Sequence, residues 1–412
     1  GNVTTTRSLE TFDDLPVETA LLDAARVRAK VSDERWRAFS DDWAAMARTW
    51  GIDWSRVISD HGNSNSPAWS LVAAPLASLV PLSARNQSWL GWLDMVLMLG
   101  LWLFIYDTFG RRVASVGLLV WAAPPNVFDF LAGSLLRWDW LFAIGLSACF
   151  IKRERWAAAG AFFAYAVATK LFPLFFGVAL GLKALAEFRQ TKRLRPEHVR
   201  FAISAAVTGV VLAIAAAVAF GADAWSLYAQ RIQVAQVEKY YTIQYSLKTV
   251  FLQFFAPGES ALAVGLFPSQ IKQALPDVDI ANYSVPFWLV RLAFTAAVFV
   301  LARRANDVEA FLLGPLLVFT WLTVNMYYWN MLGLLAVGLV TRPERALRGL
   351  LIAVHVMFMV FYLYQHLNRG ATEAYAVALL FAVSILGSAL WEWRDTAEPP
   401  AEAEPDAAPT TV

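Results

Sequence analysis

The sequence predicts an all-α, polytopic membrane protein: a helical bundle of about eleven transmembrane helices with amphipathic helices in its outer loops. The chain is 58% hydrophobic and only 16% charged over 412 residues, whereas soluble domains have roughly 25% charged residues. Its apolar stretches are long enough, singly or in pairs, to cross a bilayer. Lys and Arg are concentrated in the short breaks between these stretches, at Arg111-Arg112, 152–155, 183–200, Arg303-Arg304 and 342–348. Because short basic loops stay in the cytoplasm, these breaks orient the whole chain.

The first region, residues 1–87, is expected to be an extracytoplasmic loop. Residues 34–57 carry four tryptophans at helix-compatible spacing with charges between them, which is typical of an amphipathic helix lying on the bilayer. The alternative is a cytoplasmic domain followed by a span at Ala68–Leu82, but that stretch has only about 15 residues and two prolines, short of the roughly 20 residues that a span needs. Since the basic breaks place residue 88 outside, and the chain starts with Gly1, we expect a first helix upstream that this sequence lacks.

The bundle is expected over residues 88–393, including a long outer loop at 222–285 that is rich in Trp, Tyr and Phe. A Pro-, Ala- and Glu-rich cytoplasmic tail at 394–412 is expected to be disordered. The predicted spans are 89–108, 113–132, 138–151, 156–170, 171–187, 201–221, 286–302, 308–324, 328–341, 348–366 and 374–391.

Charge and cysteine content exclude several classes of function. The net charge is +1, and the basic residues are accounted for by topology, so no nucleic-acid partner is expected. The lone Cys149 cannot form an intrachain disulfide and argues against a zinc site. The chain has no P-loop, no dinucleotide-binding fingerprint and no Gly-x-Ser-x-Gly elbow.

Three acidic residues are candidate catalytic groups. Asp41 and Asp42 lie in the first outer loop, where one carboxylate near the interface can act as a general base. The alternative is a solvated helix face or a helix cap. Asp139 follows Arg137 and Trp138 at the outer end of a span, where charges are costly in lipid and indicate function. Asp94 and Asp129 lie near the outer ends of other spans and could face the same cavity.

Several cationic and polar residues are candidates for binding a substrate. Lys170 has apolar sequence on both sides and must reach water, a carboxylate or an anionic ligand. Arg137 could hold a phosphate in a bidentate manner or lie at the interface with the neighbouring tryptophans. Asp60-His61 could bind a phosphate or a metal, or could simply belong to a tight loop. Aromatic, amide and basic side chains suited to sugar binding, or alternatively to the interfacial belt, are Tyr240, Tyr241, Gln244, Lys248, Asn325 and Tyr328.

Taken together, these motifs resemble the GT-C superfamily of integral membrane glycosyltransferases, and most closely its family 87. An acidic first outer loop is followed by Asn65-Ser-Pro-Ala-Trp69, by Gly-Ser-Leu-Leu-Arg-Trp-Asp-Trp at 133–140 and by Ala-Thr-Lys-Leu-Phe-Pro-Leu at 168–174. A Ser-Leu-Lys stretch in a long later loop, residues 246–248, completes the similarity, which covers about 35–370. Lys-x-x-Pro after a small-residue helix is its most specific motif.

The resemblance implies transfer of a mannose-like hexose or a pentose from a polyprenyl-phosphate donor, on the outer face of the plasma membrane. It implies a catalytic acid in the first outer loop, at Asp41 or Asp42, a second at Asp139, and phosphate binding by Lys170 and Arg137. The acceptor would be a hydroxyl of a glycan, glycolipid or protein, attacked with inversion. No cofactor is required, no metal ligands are assigned, and a divalent cation is optional. The alternatives are a transporter or flippase of a lipid-linked or anionic substrate and, less well supported, an acyltransferase.

Overall fold

The structure, a computed structural model, describes ten stretches of the chain and the isolated residue 349. The described residues are 5–7, 14–19, 28–29, 31–50, 65–80, 84–122, 135–237, 244–255, 284–341, 349 and 372–397.

The described chain is all-α apart from two short β-ribbons, as the sequence predicts. The N-terminal elements are β1 (Thr5–Arg7), β2 (Asp14–Pro16), α1 (Asp33–Trp50), α2 (Pro67–Ser78), α3 (Ala84–Phe109) and α4 (Arg111–Ala122). The central elements are α5 (Asp139–Lys152), α6 (Trp156–Thr169), α7 (Leu174–Thr191), α8 (Pro196–Phe220) and α9 (Ala224–Val237). The C-terminal elements are β3 (Gln244–Tyr245), α10 (Leu247–Phe255), α11 (Ser284–Arg304), α12 (Asp307–Leu312), α13 (Gly314–Trp321), β4 (Val324–Asn325), a 3-10 helix (Met326–Met331), α14 (Leu332–Val340) and α15 (Thr372–Ala397).

Three of the described helices are long and apolar enough to cross a membrane. They are α8, α11 and the stretch Ser88–Phe109 of α3. α8 is the most open of them: Val207, Val211 and Val218 are all exposed, Val218 by 83%. A contiguous exposed apolar surface of this kind is costly in water and suits contact with lipid. The protein is therefore a membrane protein, whereas the predicted number of about eleven spans goes beyond what these helices show.

The chain divides into two compact units. Unit 1 takes in residues 1–110, 126–174 and 197–239, and unit 2 takes in 111–125, 175–196 and 240–412. Within unit 1, α5 packs against both α6 and α3, and α2 packs against α6. Within unit 2, α4 packs against α14, and α15 packs against α11 and α10.

Contacts at both ends show that α3 and α5 run parallel to each other. Near their starts, Asp94 accepts hydrogen bonds from the backbone of residues 137 and 138. At their ends, Arg153 pairs with Asp107, donates to the Thr108 hydroxyl at 3.0 Å and stacks on Phe104. This pairing agrees with the predicted topology, in which both helices cross from outside to inside.

Helix α6 returns antiparallel along α5 after a tight turn. Glu154, in that turn, has a φ of 59°, and the Ser147 hydroxyl donates to the carbonyl of Ala159 at 2.9 Å. The helix ends at Thr169, because Lys170 adopts an extended backbone (φ −142°, ψ 126°). Pro173 lies between Lys170 and the start of α7, and a residue that precedes a proline disfavours the helical backbone conformation. The predicted boundary at Lys170 is thus confirmed.

Several predicted boundaries differ from the structure by a few residues, as at α7 and α8, and two others change the element itself. The expected span 308–324 is broken into α12 and α13, since Pro315 has no N–H to donate and sits at the start of a new helix. A capping box formed by Asn306 and Glu309 starts α12. At the C-terminus α15 continues to Ala397, so the expected tail does not begin at residue 394. The predicted span 348–366 lies outside the described residues except for residue 349.

Candidate functional site

The candidate site in unit 1 centres on Asp139, the first residue of α5. Its side chain is 3% exposed, and both carboxylate oxygens accept hydrogen bonds. Oδ1 accepts from the backbone N–H of Trp140 at 2.7 Å, and Oδ2 accepts from the Tyr165 hydroxyl on α6 at 2.9 Å. Each carboxylate oxygen has two lone pairs, so this carboxylate has further acceptor capacity beyond these two bonds.

The segment that leads into Asp139 is held in place by Asp94 of α3. The Asp94 carboxylate is fully buried and accepts from the backbone N–H of Arg137 at 2.9 Å and from that of Trp138 at 3.0 Å. The preceding Leu136 has a φ of 50°, and its carbonyl accepts from the Trp69 indole at 3.0 Å. A left-handed leucine is strained, so these bonds compensate for the strain and fix the direction of α5.

Lys170 brings a positive charge to the same region from the turn after α6. Its ammonium donates to Oδ1 of Asn65 at 2.8 Å, just before α2. Lys170 also lies within electrostatic range of Asp139 and Arg137. The N-cap of α2 is Ser66, whose hydroxyl accepts from the N–H of Trp69 at 3.1 Å, which fixes the neighbouring Asn65. Three segments distant in sequence therefore meet within unit 1.

An apolar cavity of about 390 Å³ opens beside this cluster. Asp139 and Tyr165 are the polar residues of its described lining. The rest of that lining is apolar: Val72, Leu97, Leu136, Phe142, Ala143, Ala161 and Phe162. A pocket of this size, with a few polar groups on mainly apolar walls, is typical of a ligand site. The carboxylate thus faces a space suited to a lipid-like chain.

Unit 2 holds a second group of sequence-predicted residues, on one small ribbon and on the two helices that follow its strands. Gln244 in β3 is directly opposite Asn325 in β4. Lys248 follows on α10, where burial and the nearby Arg291 guanidinium lower its pKa to about 8. Arg291 itself packs over the rings of Phe287, Trp288 and Trp321, and donates to the Trp321 carbonyl at 3.1 Å. Tyr328, in the 3-10 helix, is half-buried.

The first-loop carboxylates do not join either group in the part of the chain that the structure describes. Asp41 and Asp42 are exposed on α1, and no hydrogen bond or ion pair between described residues links them to Asp139 or Lys170. The predicted amphipathic helix is present as α1, although residues 51–57 of the prediction lie outside the described residues. Asp60, His61, Asp129, Tyr240 and Tyr241 also lie outside them.

Sequence reasoning did not single out Tyr165, which binds the candidate carboxylate. A hydroxyl in the otherwise apolar helix α6, shortly before Lys170, is a signal that could have found it. The role of Asp94 as a backbone acceptor had no sequence signal, because it depends on the parallel packing of α3 and α5.

Comparisons with known proteins leave the function of this chain open. Neither a protein-family model, nor a curated protein, nor a solved structure matches the chain.

Proposed function

We propose that this protein is a membrane glycosyltransferase that moves a sugar from a polyprenyl-phosphate donor to an acceptor hydroxyl on the extracytoplasmic face. In this proposal about eleven helices of the chain span the bilayer. Residues 65–66, the segment before α5 and the turn at Lys170 then lie on the outer side.

The observation that carries the proposal is the position of Asp139. A buried carboxylate near a lysine, in the lining of an apolar cavity, provides three features at one place: a proton acceptor, a positive charge and room for a hydrocarbon chain. Polyprenyl-phosphate sugars combine a reactive anomeric carbon, an anionic leaving group and a long apolar tail. The chemistry of the site matches each part of such a donor.

The reaction that this arrangement supports is a single inverting displacement. The carboxylate takes the proton of the acceptor hydroxyl, and the hydroxyl oxygen forms a bond to the anomeric carbon. The bond between that carbon and the phosphate oxygen breaks, and its electron pair leaves with the polyprenyl phosphate. Lys170 and Arg137 stabilise the charge that develops on the phosphate. The lipid phosphate is already a good leaving group, so no nucleotide is needed.

We propose Asp139 as the general base rather than a first-loop aspartate. Its carboxylate lies among the other groups of the site, whereas Asp41 and Asp42 are exposed on α1. The Tyr165 hydroxyl and the Trp140 N–H orient the carboxylate without using all of its lone pairs. The first-loop assignment implied by the family resemblance stays a prediction that the same assay addresses.

The test is transfer by the purified full chain in lipid vesicles. Polyprenyl-phosphate hexoses and pentoses, labelled in the sugar, are supplied with alkyl glycosides as acceptors, and the products are separated by mass spectrometry. The proposal predicts a new glycosidic bond and release of polyprenyl phosphate. Movement of intact labelled donor across the bilayer without cleavage would instead show a flippase and overturn the proposal.

A further inference from the structure

A second cavity in unit 1, of about 290 Å³, differs from the first in the chemistry of its walls. Asn65 and Ser70 line it from the start of α2, while Phe220, Leu227, Tyr228 and Arg231 line it from the end of α8 and from α9. Arg231 is the one charged residue among the described lining residues. The cavity volume lies near the lower limit of small-molecule pockets, about 300 Å³.

Local backbone geometry builds this cavity. Gly221 follows α8 with a φ of 101°, a conformation that glycine adopts without strain, and the chain turns back there. The Trp225 indole then donates to the carbonyl of Ala213 on α8 at 3.1 Å, which ties the start of α9 to α8. α9 packs against α2, so Tyr228 and Arg231 face the capped end of that helix.

The cavity offers hydrogen-bond donors and positive charge. The Arg231 guanidinium contributes a planar set of donors suited to an oxyanion. Burial raises the pKa of Tyr228 to about 12, so its hydroxyl stays protonated and can donate. The Lys170 ammonium donates to Asn65, one of the lining residues, at 2.8 Å. Two positive charges from separate elements thus act on one small space.

We propose that this cavity binds a phosphate group and that Arg231, which nothing in the sequence singled out, is its direct ligand. Because Asn65 lines this cavity and bonds Lys170, while Lys170 lies within electrostatic range of Asp139, the anion would bind next to the carboxylate site. Identification of this phosphate with that of the lipid donor rests on the proposed glycosyl transfer. Binding of the anion itself does not.

The test measures binding without any sugar transfer. Tryptophan fluorescence of the purified full chain in detergent is titrated with polyprenyl phosphate and, separately, with neutral polyprenol of the same length. Wild type is expected to bind the phosphate form more tightly. Arg231→Gln is expected to weaken that binding by roughly 10- to 100-fold, the effect of losing a hydrogen bond to a charged group. Arg200→Gln, at the opposite end of α8 and exposed, is the matched control and should bind like wild type.

Other results of these titrations would also support or contradict phosphate binding at Arg231. Equal affinity of Arg231→Gln and wild type, or equal affinity for polyprenyl phosphate and polyprenol, would overturn it. Tyr228→Phe, which keeps the ring packing, gives a second reading and is expected to weaken phosphate binding without changing polyprenol binding. Competition by inorganic phosphate at concentrations equal to those of the lipid would show a free-anion site and overturn the assignment to a lipid. Loss of binding in Arg231→Gln, combined with no transfer by wild type, would support the anion site and contradict the transferase.

Discussion

The Asp139 carboxylate is buried, so it needs compensating interactions within the protein. Buried carboxylates are costly unless hydrogen bonds and opposite charges stabilise them. Here one oxygen accepts from Trp140 N–H, the other accepts from the Tyr165 hydroxyl, and Lys170 supplies a positive charge nearby. The hydrogen bonds that stabilise the buried carboxylate also hold it in the lining of the apolar cavity.

The residue that positions this carboxylate is predicted to be Asp94. Asp94→Asn replaces one acceptor oxygen by an NH₂ group that faces a backbone N–H, which costs about 1–3 kcal/mol of unfolding free energy. The segment before α5 should lose its fixed direction, so the KM for the donor should rise together with the loss of stability. Thermal unfolding in detergent and transfer kinetics measure both effects.

Asp107→Asn is the control for this prediction. Asp107 lies on the same helix, but its side chain is 71% exposed and its ion pair with Arg153 is solvated. Solvated pairs contribute about 0–1 kcal/mol, so this variant should resemble wild type. Equal losses of stability in both variants would show that Asp94 has no special role.

Lys248 gives a prediction for the pH dependence of stability. Burial and the nearby Arg291 lower its pKa to about 8 in the folded protein, below the usual lysine value of 10.5, so the unfolded chain binds more protons between these values. Stability should therefore rise as the pH rises through about 8. Lys248→Met should raise the midpoint of thermal unfolding at pH 7 and flatten its increase between pH 7 and 9.5. The exposed Lys152→Met is the control; an unchanged pH profile in Lys248→Met would contradict the assignment.

At the scale of elements, unit 1 depends on a close approach of α6 to α8. Gly160 is buried on α6, and a Cβ atom built there would lie 2.3 Å from the backbone carbonyl oxygen of Phe201 on α8. Small residues let membrane helices approach closely and pack through van der Waals contact. The nearby Ser204 hydroxyl donates to the Ala157 carbonyl at 2.6 Å and joins the same two helices.

Gly160→Ala is accordingly expected to destabilise the protein by about 1–3 kcal/mol, the usual cost of overpacking. Backbone atoms cannot move aside as a flexible side chain can. Gly209→Ala on α8, where a Cβ would meet nothing within 4 Å, should not destabilise the protein. Denaturant titration of helicity in detergent compares the two variants, and equal stability of both would refute the tight contact.

At the scale of the whole molecule, the topology rests on basic breaks and agrees with the parallel packing of α3 and α5. It predicts that the turn between α8 and α9 is outside and that the turn between α7 and α8 is inside. After replacement of Cys149, a cysteine at Asp223 should react with an impermeant maleimide in intact cells. A cysteine at Arg193 should react only after permeabilisation. The reversed pattern would invert the topology, and a reporter near Asn63 found in the cytoplasm would refute the outer placement of residues 1–87.

Sequence predicted most helix positions, because apolar length, prolines and charged breaks are local signals. The end of α6 at Lys170 and the start of α7 after Pro173 are examples. Sequence also predicted Asp139, Arg137 and Lys170 as site residues, since charges beside apolar segments are rare, and the structure brings them close together. It could not identify Arg231 or the role of Asp94, because both depend on which helices pack together. The split of α12 from α13 was not predicted, because residues 308–324 are mostly apolar and composition alone does not show that Pro315 starts a new helix.

Sugar transfer by this protein is predicted to depend on Asp139 as the proton acceptor. The most direct measurement is single-turnover release of polyprenyl phosphate from labelled polyprenyl-phosphate sugar in vesicles, with donor binding measured in parallel. Asp139→Asn is predicted to bind the donor normally but to release polyprenyl phosphate about 10²- to 10⁴-fold more slowly, the usual contribution of a general base. Asp107→Asn should match wild type in both measurements. Release by Asp139→Asn at the wild-type rate, or loss of release in Asp41→Asn/Asp42→Asn instead, would contradict the account.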